Sequence, residues 1–211
     1  DSFVIADCLR FGRINKEVYL EDYRYKALQN LTRARYFAVC NLTKEKQRFT
    51  NVLFKKYSTM TQEKVFSDTF STTALAVYDE FESAEALAYM DLQELTDFII
   101  EKGKNRFPDP DAVAKAIQKA ARSSYRLPKT VNDSVNQVLS ISITSIKALE
   151  AQIKEFDKAI AAQMELLSNV LISIPGIGPV YSAGIMAEIG DINRFKNQAA
   201  LAKYAGLSWT Q

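Results

Sequence analysis

The chain has 211 residues, 47% hydrophobic and 25% charged, with a net charge of only +2; this excludes a disordered polyelectrolyte and leaves enough chain to bury a core. It contains no histidine, which excludes Ser-His and Cys-His catalysis within these residues and most zinc sites. Cys8 and Cys40 lack metal-ligand spacing and read as cytosolic thiols. Phe3, Val4 and Ile5 are followed at once by Asp7 and Arg10, so no signal peptide is read. The sequence opens on Asp1 and breaks off at Gln211 in mid-pattern, which gives the expectation of a piece of a longer protein.

Charge is unevenly spread. Arg10 to Lys56 holds 12 Lys and Arg against 4 Asp and Glu, and Tyr57 to Glu101 holds 10 acids against one Lys. Such blocks suit a part that faces a polyanion and an acidic part that avoids it, or equally two solvated helical faces that pair with each other.

In chain order, Ser2 to Phe11 reads as a helix with Phe3, Ile5, Ala6 and Leu9 on one face, ended by Gly12. A long helix is predicted from Asp22 to Tyr57, where Leu28, Leu31, Arg35, Val39, Leu42, Lys46, Phe49 and Leu53 advance by threes and fours. A helix of that length must pack against another long helix or lie along something charged. Ser58 to Ser71 is rich in Ser and Thr and reads as irregular. Short helices follow: Ala84 to Tyr89 capped by Ser83, one to about Lys102 opened by an Asp91/Glu94 capping box and stopped by Gly103, and one through Arg122 opened by Asp109 and Pro110. Together they suggest a compact helical insertion.

A second long helix is predicted from about Asn132 to Val170, with Leu139, Ile143, Ile146, Leu149, Ile153, Phe156, Ile160, Met164 and Leu167 as a coiled-coil-like seam. Its partner can be the first long helix in an antiparallel hairpin, the same helix of a second subunit, or both. No strand pattern stands out, so the fold class expected is mainly α. Leu166 to Ala187 carries no charge and has the length of a membrane span, but Pro175 and Pro179 would break it where lipid offers freed backbone groups no partner. No membrane helix is expected.

Ile174-Pro175-Gly176-Ile177-Gly178-Pro179 has the layout of a helix–hairpin–helix turn. One helix would end before Pro175, Gly176 and Gly178 would supply positive φ, and Pro179 would sit in the first turn of the next helix. The amides of Gly176, Gly178 and Val180 would then point outward at a helix N-terminus, a site for a DNA or RNA phosphate. Ile174, Ile177, Val180, Ile185 and Ile189 would hold the arms together, and Gly184 would let them cross closely. The alternative is a tight αα-corner with no ligand; the Lys that often follows such a turn is replaced here by Val180 and Tyr181. Beyond it, Asn197 caps a short helix from Gln198 to Ala205 closed by Gly206. Arg194, Lys196 and Lys203 add positive charge, and Arg33, Lys44 and Arg48 of the first long helix are candidate backbone contacts.

The stretch "IPGIGPVYSAGIMAEIGDINRFKNQAALAKYAGLSWTQ" resembles the C-terminal transposase domain of the insertion-sequence family numbered one hundred and ten. "DSFVIADCLRFGR" resembles the end of that family's DEDD domain, an RNase H-like fold, and the segment between is similar to its helical linker. The resemblance implies three parts: residues 1–13 as the last helix of the DEDD domain, 14–170 as a linker with two long helices and the insertion, and 171–211 as the start of the transposase domain. It also implies a cytoplasmic, nucleoid-associated recombinase that works as a homo-oligomer, dimer or tetramer, on DNA with a structured guide RNA. In such enzymes three aspartates and a glutamate bind Mg²⁺, and a serine forms a covalent link to the DNA phosphate.

Carried over residue by residue, the resemblance places Asp1 at the last aspartate of the tetrad, and so as both catalytic and metal-binding residue. Asp7 matches no tetrad position, and Ser208 matches a non-catalytic one; the nucleophilic serine is expected beyond Gln211. The fragment by itself is therefore expected to be inactive, serving as scaffold, oligomerisation element and nucleic-acid contact. The rivals are a non-enzymatic helix–hairpin–helix DNA-binding protein and a helical scaffold whose corner contacts nothing.

Overall fold

The computed structural model describes residues 1–13 and 22–207. Ten α-helices and no strand occur among them, so the chain is mainly α as expected. They are α1 (Ser2–Arg10), α2 (Tyr23–Lys56), α3 (Ser58–Gln62), α4 (Thr72–Glu80), α5 (Ala84–Tyr89), α6 (Leu92–Gly103), α7 (Pro110–Ser123), α8 (Lys129–Met164), α9 (Pro179–Ile189) and α10 (Gln198–Tyr204). Two compact units form: Arg35–Glu155, and Asp1–Ala34 with Phe156–Gln211. Each contains a stretch of α2 and a stretch of α8.

In the unit Arg35–Glu155 the two long helices run antiparallel. The end of α2 and the start of α8 meet where Lys56 and Asn132 line one small crevice, while further back along α2 the Lys46 ammonium reaches Glu150 at 2.8 Å. Ser142 donates to the Glu45 carboxylate beside them. Leu139, Ile143 and Ile146 of α8 and Phe49 and Leu53 of α2 are buried in one core. Of the seam predicted on α8, Leu139, Ile143 and Ile146 are turned inward here, whereas Leu149 and Ile153 stay half-buried. Within this unit the antiparallel pairing with the first long helix is formed, the buried stretch of each stripe meeting apolar residues of the other helix.

The insertion α3–α7 closes that core. Tyr57, Tyr78, Leu87, Leu95, Ile99 and Ile117 are at most 2% exposed. Its helices begin where the caps predict: Ser83 accepts from the Ala86 amide at 3.0 Å, Asp91 from Gln93 and Glu94, and Asp109 from Ala112 at 2.9 Å, each satisfying an otherwise orphaned N–H. The insertion is fastened to the helix pair by polar ties, the amides of Asn132 and Asn136 both donating to the Glu82 carbonyl, at 2.6 and 2.7 Å.

Four expectations are corrected. Ser58 to Ser71 is not wholly irregular: α3 follows α2 after one residue, because Ser58 and Met60 are buried. Gly103 does not stop α6 from outside; it is the last helical residue, and Lys104 takes the left-handed position at φ 52°. Glycine is needed at 103 because a Cβ there would lie 2.7 Å from the Phe107 ring. The second long helix ends at Met164, not Val170. Its last amides tighten to bonds three residues back, Leu166 to Gln163 and Leu167 to Met164, and the Asn169 side chain then turns the chain by accepting from the Leu171 amide at 3.2 Å. Finally, Lys56 does not belong to the basic surface.

Lys56 is 2% exposed. Its ammonium donates to the Tyr78 carbonyl at 2.8 Å and lies 5.1 Å from the Tyr57 ring centroid. Burial lowers its pKa to about 8, against the weaker opposing pull of Asp79 and Glu82. Between pH 8 and the unfolded value of 10.5 the unfolded chain binds a proton that the folded chain lacks, so folding stability rises with pH across that window. Urea denaturation between pH 7.5 and pH 9.5 should show a gain on the order of 1–3 kcal/mol, and Lys56→Met should flatten the slope. Tyr57 and Tyr78, which burial keeps protonated, oppose this only above about pH 10.

Candidate nucleic-acid interface

Ile174 to Ile177 forms a β-turn, the Ile177 amide donating to the Ile174 carbonyl at 3.0 Å. Pro175 and Gly176 occupy its two central positions, and Gly176 takes φ 89°, the combination a type II turn requires. Gly178 caps α9 at φ −79° and ψ 172°, an ordinary extended conformation, so the positive φ expected there is not used. Pro179 stands at the first helical position, where its missing N–H leaves nothing unpaired.

The first arm of the expected helix–hairpin–helix is not an α-helix. It is a 3₁₀ turn, Leu171–Ser173, because α8 has ended at Met164. Asn169 accepts a hydrogen bond from the Ser182 hydroxyl at 2.6 Å and so draws this arm onto α9. The isoleucines are not the glue: Ile174 is 46% and Ile185 36% exposed. Ala183 and Ala187 of α9 are fully buried against Leu28 and Ile160. Their methyl side chains let the helices approach closely, which was the part expected of Gly184; a Cβ on Gly184 would meet nothing within 4 Å.

The corner is open. Ser173 to Gly176 are exposed and Ile177, Gly178 and Val180 half-buried. Among the described residues the amides of Gly176, Gly178 and Val180 donate no hydrogen bond, whereas Ser182 already bonds back to Gly178 at 2.9 Å. Three unpaired N–H groups thus stand at the positive end of α9, an arrangement suited to an anion.

The predicted cations divide into committed and uncommitted groups. Arg33 forks onto Glu188 with two bonds of 2.8 Å, and Gln29 adds a third at 3.2 Å. The Arg33 guanidinium holds the Glu188 carboxyl below its usual value. Arg194 donates to the Ile189 carbonyl at 3.1 Å, closing the end of α9, and its guanidinium lies 4.6 Å from the ring centroids of both Phe195 and Tyr204; its role in the fold is structural. Lys196 and Lys203 are exposed. In the other unit Lys44 and Arg48 line an open groove of about 500 Å³ with Asn41, Ser145 and Ala148. Arg48 is only loosely engaged, 3.5 Å from Glu45. The sequence reading missed Glu188 and Asn169 as the residues that organise the corner. The available signal was that Glu188 is the lone charge between Ser173 and Gly190.

Asp1 caps α1 without a side-chain bond and is exposed. Among the described residues no three His, Cys, Asp or Glu side chains converge to hold a metal. Phe3, Val4, Ile5 and Leu9 of α1 are more than half exposed. No described helix is long and apolar enough to cross a membrane. Ser208 lies outside the described residues.

Against known proteins, residues 168–211 match the family model described as Transposase IS116/IS110/IS902 family. Over 155 residues, 69% of this chain and 36% of the relative, the chain is 29% identical to the insertion element IS116 uncharacterized 44.8 kDa protein of Streptomyces clavuligerus. Over 129 residues, 50% of this chain and 32% of the relative, it is 30% identical to the insertion element IS110 uncharacterized 43.6 kDa protein of Streptomyces coelicolor. The chain thus spans about a third of the length of these relatives. No solved structure matches.

Because Glu188 titrates below its ordinary value, the clamp stabilises the unit above about pH 4.5 and loses this contribution as pH falls through the lowered value. Glu188→Gln should weaken hydrogen-exchange protection of the α9 amides at pH 7 and make that protection less sensitive to acidification toward pH 3.

Proposed function

We propose that this chain, which matches the IS116/IS110/IS902 family of transposases over residues 168–211, belongs to that family and is the scaffold that carries nucleic-acid contacts between the two reactive parts of an insertion-sequence recombinase. The observation carrying this reading is the exposed corner with the unpaired amides of Gly176, Gly178 and Val180. Backbone N–H groups and a helix N-terminus bind phosphate without reading sequence. An apolar segment can therefore hold a polyanion, and target choice is left to something else. In this proposal that role falls to a structured guide RNA pairing with DNA.

The cations divide the work. Lys196 and Lys203 supply charge for phosphates at the corner unit, and Lys44 and Arg48 supply it along their groove. Arg33 and Arg194, expected from the sequence to touch nucleic acid, act first as fasteners. Residues 1–13 are the last helix of an RNase H-like domain, a reading supported by the exposed apolar side chains of α1, which such a domain would cover. Residues 14–170 are the linker and 171–211 the start of the transposase domain. Asp1 would be one member of a carboxylate set completed by residues outside these 211, and magnesium would there stabilise charge on the transferring phosphoryl group. The nucleophilic serine is assigned outside them too, so the fragment itself cleaves nothing. Assembly into a dimer or tetramer and a cytoplasmic, nucleoid-associated location complete the proposal.

Duplex DNA and structured RNA should both bind with an affinity that falls as salt rises. Lys196→Gln with Lys203→Gln should lower the slope of log affinity against log salt for duplex DNA by roughly 2, about 0.9 for each phosphate no longer neutralised. Gly176→Ala, forced into a left-handed conformation at φ 89°, should weaken binding several-fold. Filter binding across a salt series reads both effects, and an affinity indifferent to salt would defeat the proposal.

A further inference from the structure

Phe49 of α2 lies in the core of its unit at 1% exposure, but Tyr36 and Phe37, earlier on the same helix, are 64% and 62% exposed. Their rings meet edge to face, with centroids 5.8 Å apart and planes at 65°. Tyr36 is tied to Cys40 by a side-chain hydrogen bond, so it braces Phe37 and leaves much of that ring to solvent. A fixed aromatic pair left in water gains little from the fold and is suited to contact with something else.

Phe37, Asn41, Lys44 and Arg48 follow at intervals of four, three and four, which sets them along one face of α2 over about 16 Å. All four are exposed. Asn41, Lys44 and Arg48 line the open groove beside α8, whose far wall includes the short side chains of Ser145 and Ala148. Among the described residues the Asn41 amide and the Lys44 ammonium have no side-chain partner, and Arg48 is held only loosely, 3.5 Å from Glu45. Glu45, the acid that lines the groove, is half-buried and already accepts from Ser142. A cationic track therefore leads away from an exposed ring.

We propose that this face of α2 holds an unpaired nucleotide of a structured RNA. The base stacks on Phe37, the 2′-hydroxyl meets the Asn41 amide, and the phosphates that follow lie on Lys44 and Arg48. The exposed rings alone would suit a protein partner equally. The cations two and three turns along favour a polyanion, and the amide, both donor and acceptor, matches the sugar hydroxyl that RNA carries and DNA lacks. The inference rests on the reading that Lys44 and Arg48 face nucleic acid, and names what they face.

Fluorescence anisotropy of the 211-residue chain with three labelled hairpins tests it: RNA with a single-nucleotide bulge, the same RNA fully paired, and the bulged hairpin as DNA. The bulged RNA should bind roughly fivefold or more tightly than either control, the least expected of one base stacked on a ring. Phe37→Leu, which keeps an apolar side chain at an exposed position, should erase the advantage of the bulge and leave the paired RNA unchanged. Asn41→Ala should narrow the gap between RNA and DNA. Lys44→Gln with Arg48→Gln should weaken all three. If that double variant weakens binding while Phe37→Leu changes nothing, the inference fails and the reading beneath it stands; indifference to both defeats the two together. Equal binding of bulged and paired RNA, or of RNA and DNA, also overturns the inference. So does a Phe37→Leu chain that loses self-association in sedimentation yet keeps its preference for the bulge, since the rings would then serve a second copy.

Discussion

The structure depends on the burial of two apolar stripes, one on α2 and one on α8. Helices of 34 and 36 residues gain most of their stability in a protein from the face they bury rather than from intrinsic propensity. In one unit the stripe of α2 meets Leu139, Ile143 and Ile146 of α8, and the insertion closes over the same core. In the other, Leu28 and Ile160 offer a surface to which Ala183 and Ala187 are fitted. With its inner face fixed by alanines, α9 is held by packing close to the backbone, and its N-terminal turn is left outside that contact.

Charge has two uses in this chain, and the difference lies in what each cation touches. Lys56, Arg33 and Arg194 are committed to the fold: one to a buried carbonyl, one to a carboxylate, one to a helix end and two rings. Lys196, Lys203, Lys44 and Arg48 sit on exposed positions and remain open to an anionic partner. A +8 excess over Arg10 to Lys56 therefore overstates the charge that α2 offers to solvent. The buried Lys56 is tolerated because its ammonium keeps a hydrogen bond and two acidic neighbours, Asp79 and Glu82, offset part of the burial.

Much of the fold was legible in the sequence because its signals are local. Ser83, Asp91, Asp109 and Asn197 each accept a bond from an amide of the helix they open, and Leu139, Ile143, Ile146 and Ile160 of the α8 seam are buried as their spacing requires. What was not legible depends on partners distant in sequence. Apolar periodicity continues past Met164, but the chain turns there, with Asn169 accepting from the Leu171 amide and from the distant Ser182 hydroxyl. Gly184 looked like a close crossing, but the alanines one residue before it and three after make that contact. Of the corner, Gly176 and Pro179 could be read from turn chemistry. The clamp of Arg33 and Gln29 on Glu188, spanning more than 150 residues, could not.

The amide groups at the turn before α9 provide the most direct test. In an isotope-labelled sample titrated with short duplex DNA, the amide protons of Gly176, Gly178 and Val180 should move downfield together and saturate at one affinity, as N–H groups do when they take up a phosphate oxygen. If those three signals stay in place while the DNA demonstrably binds, the corner is not the contact and the central claim is wrong.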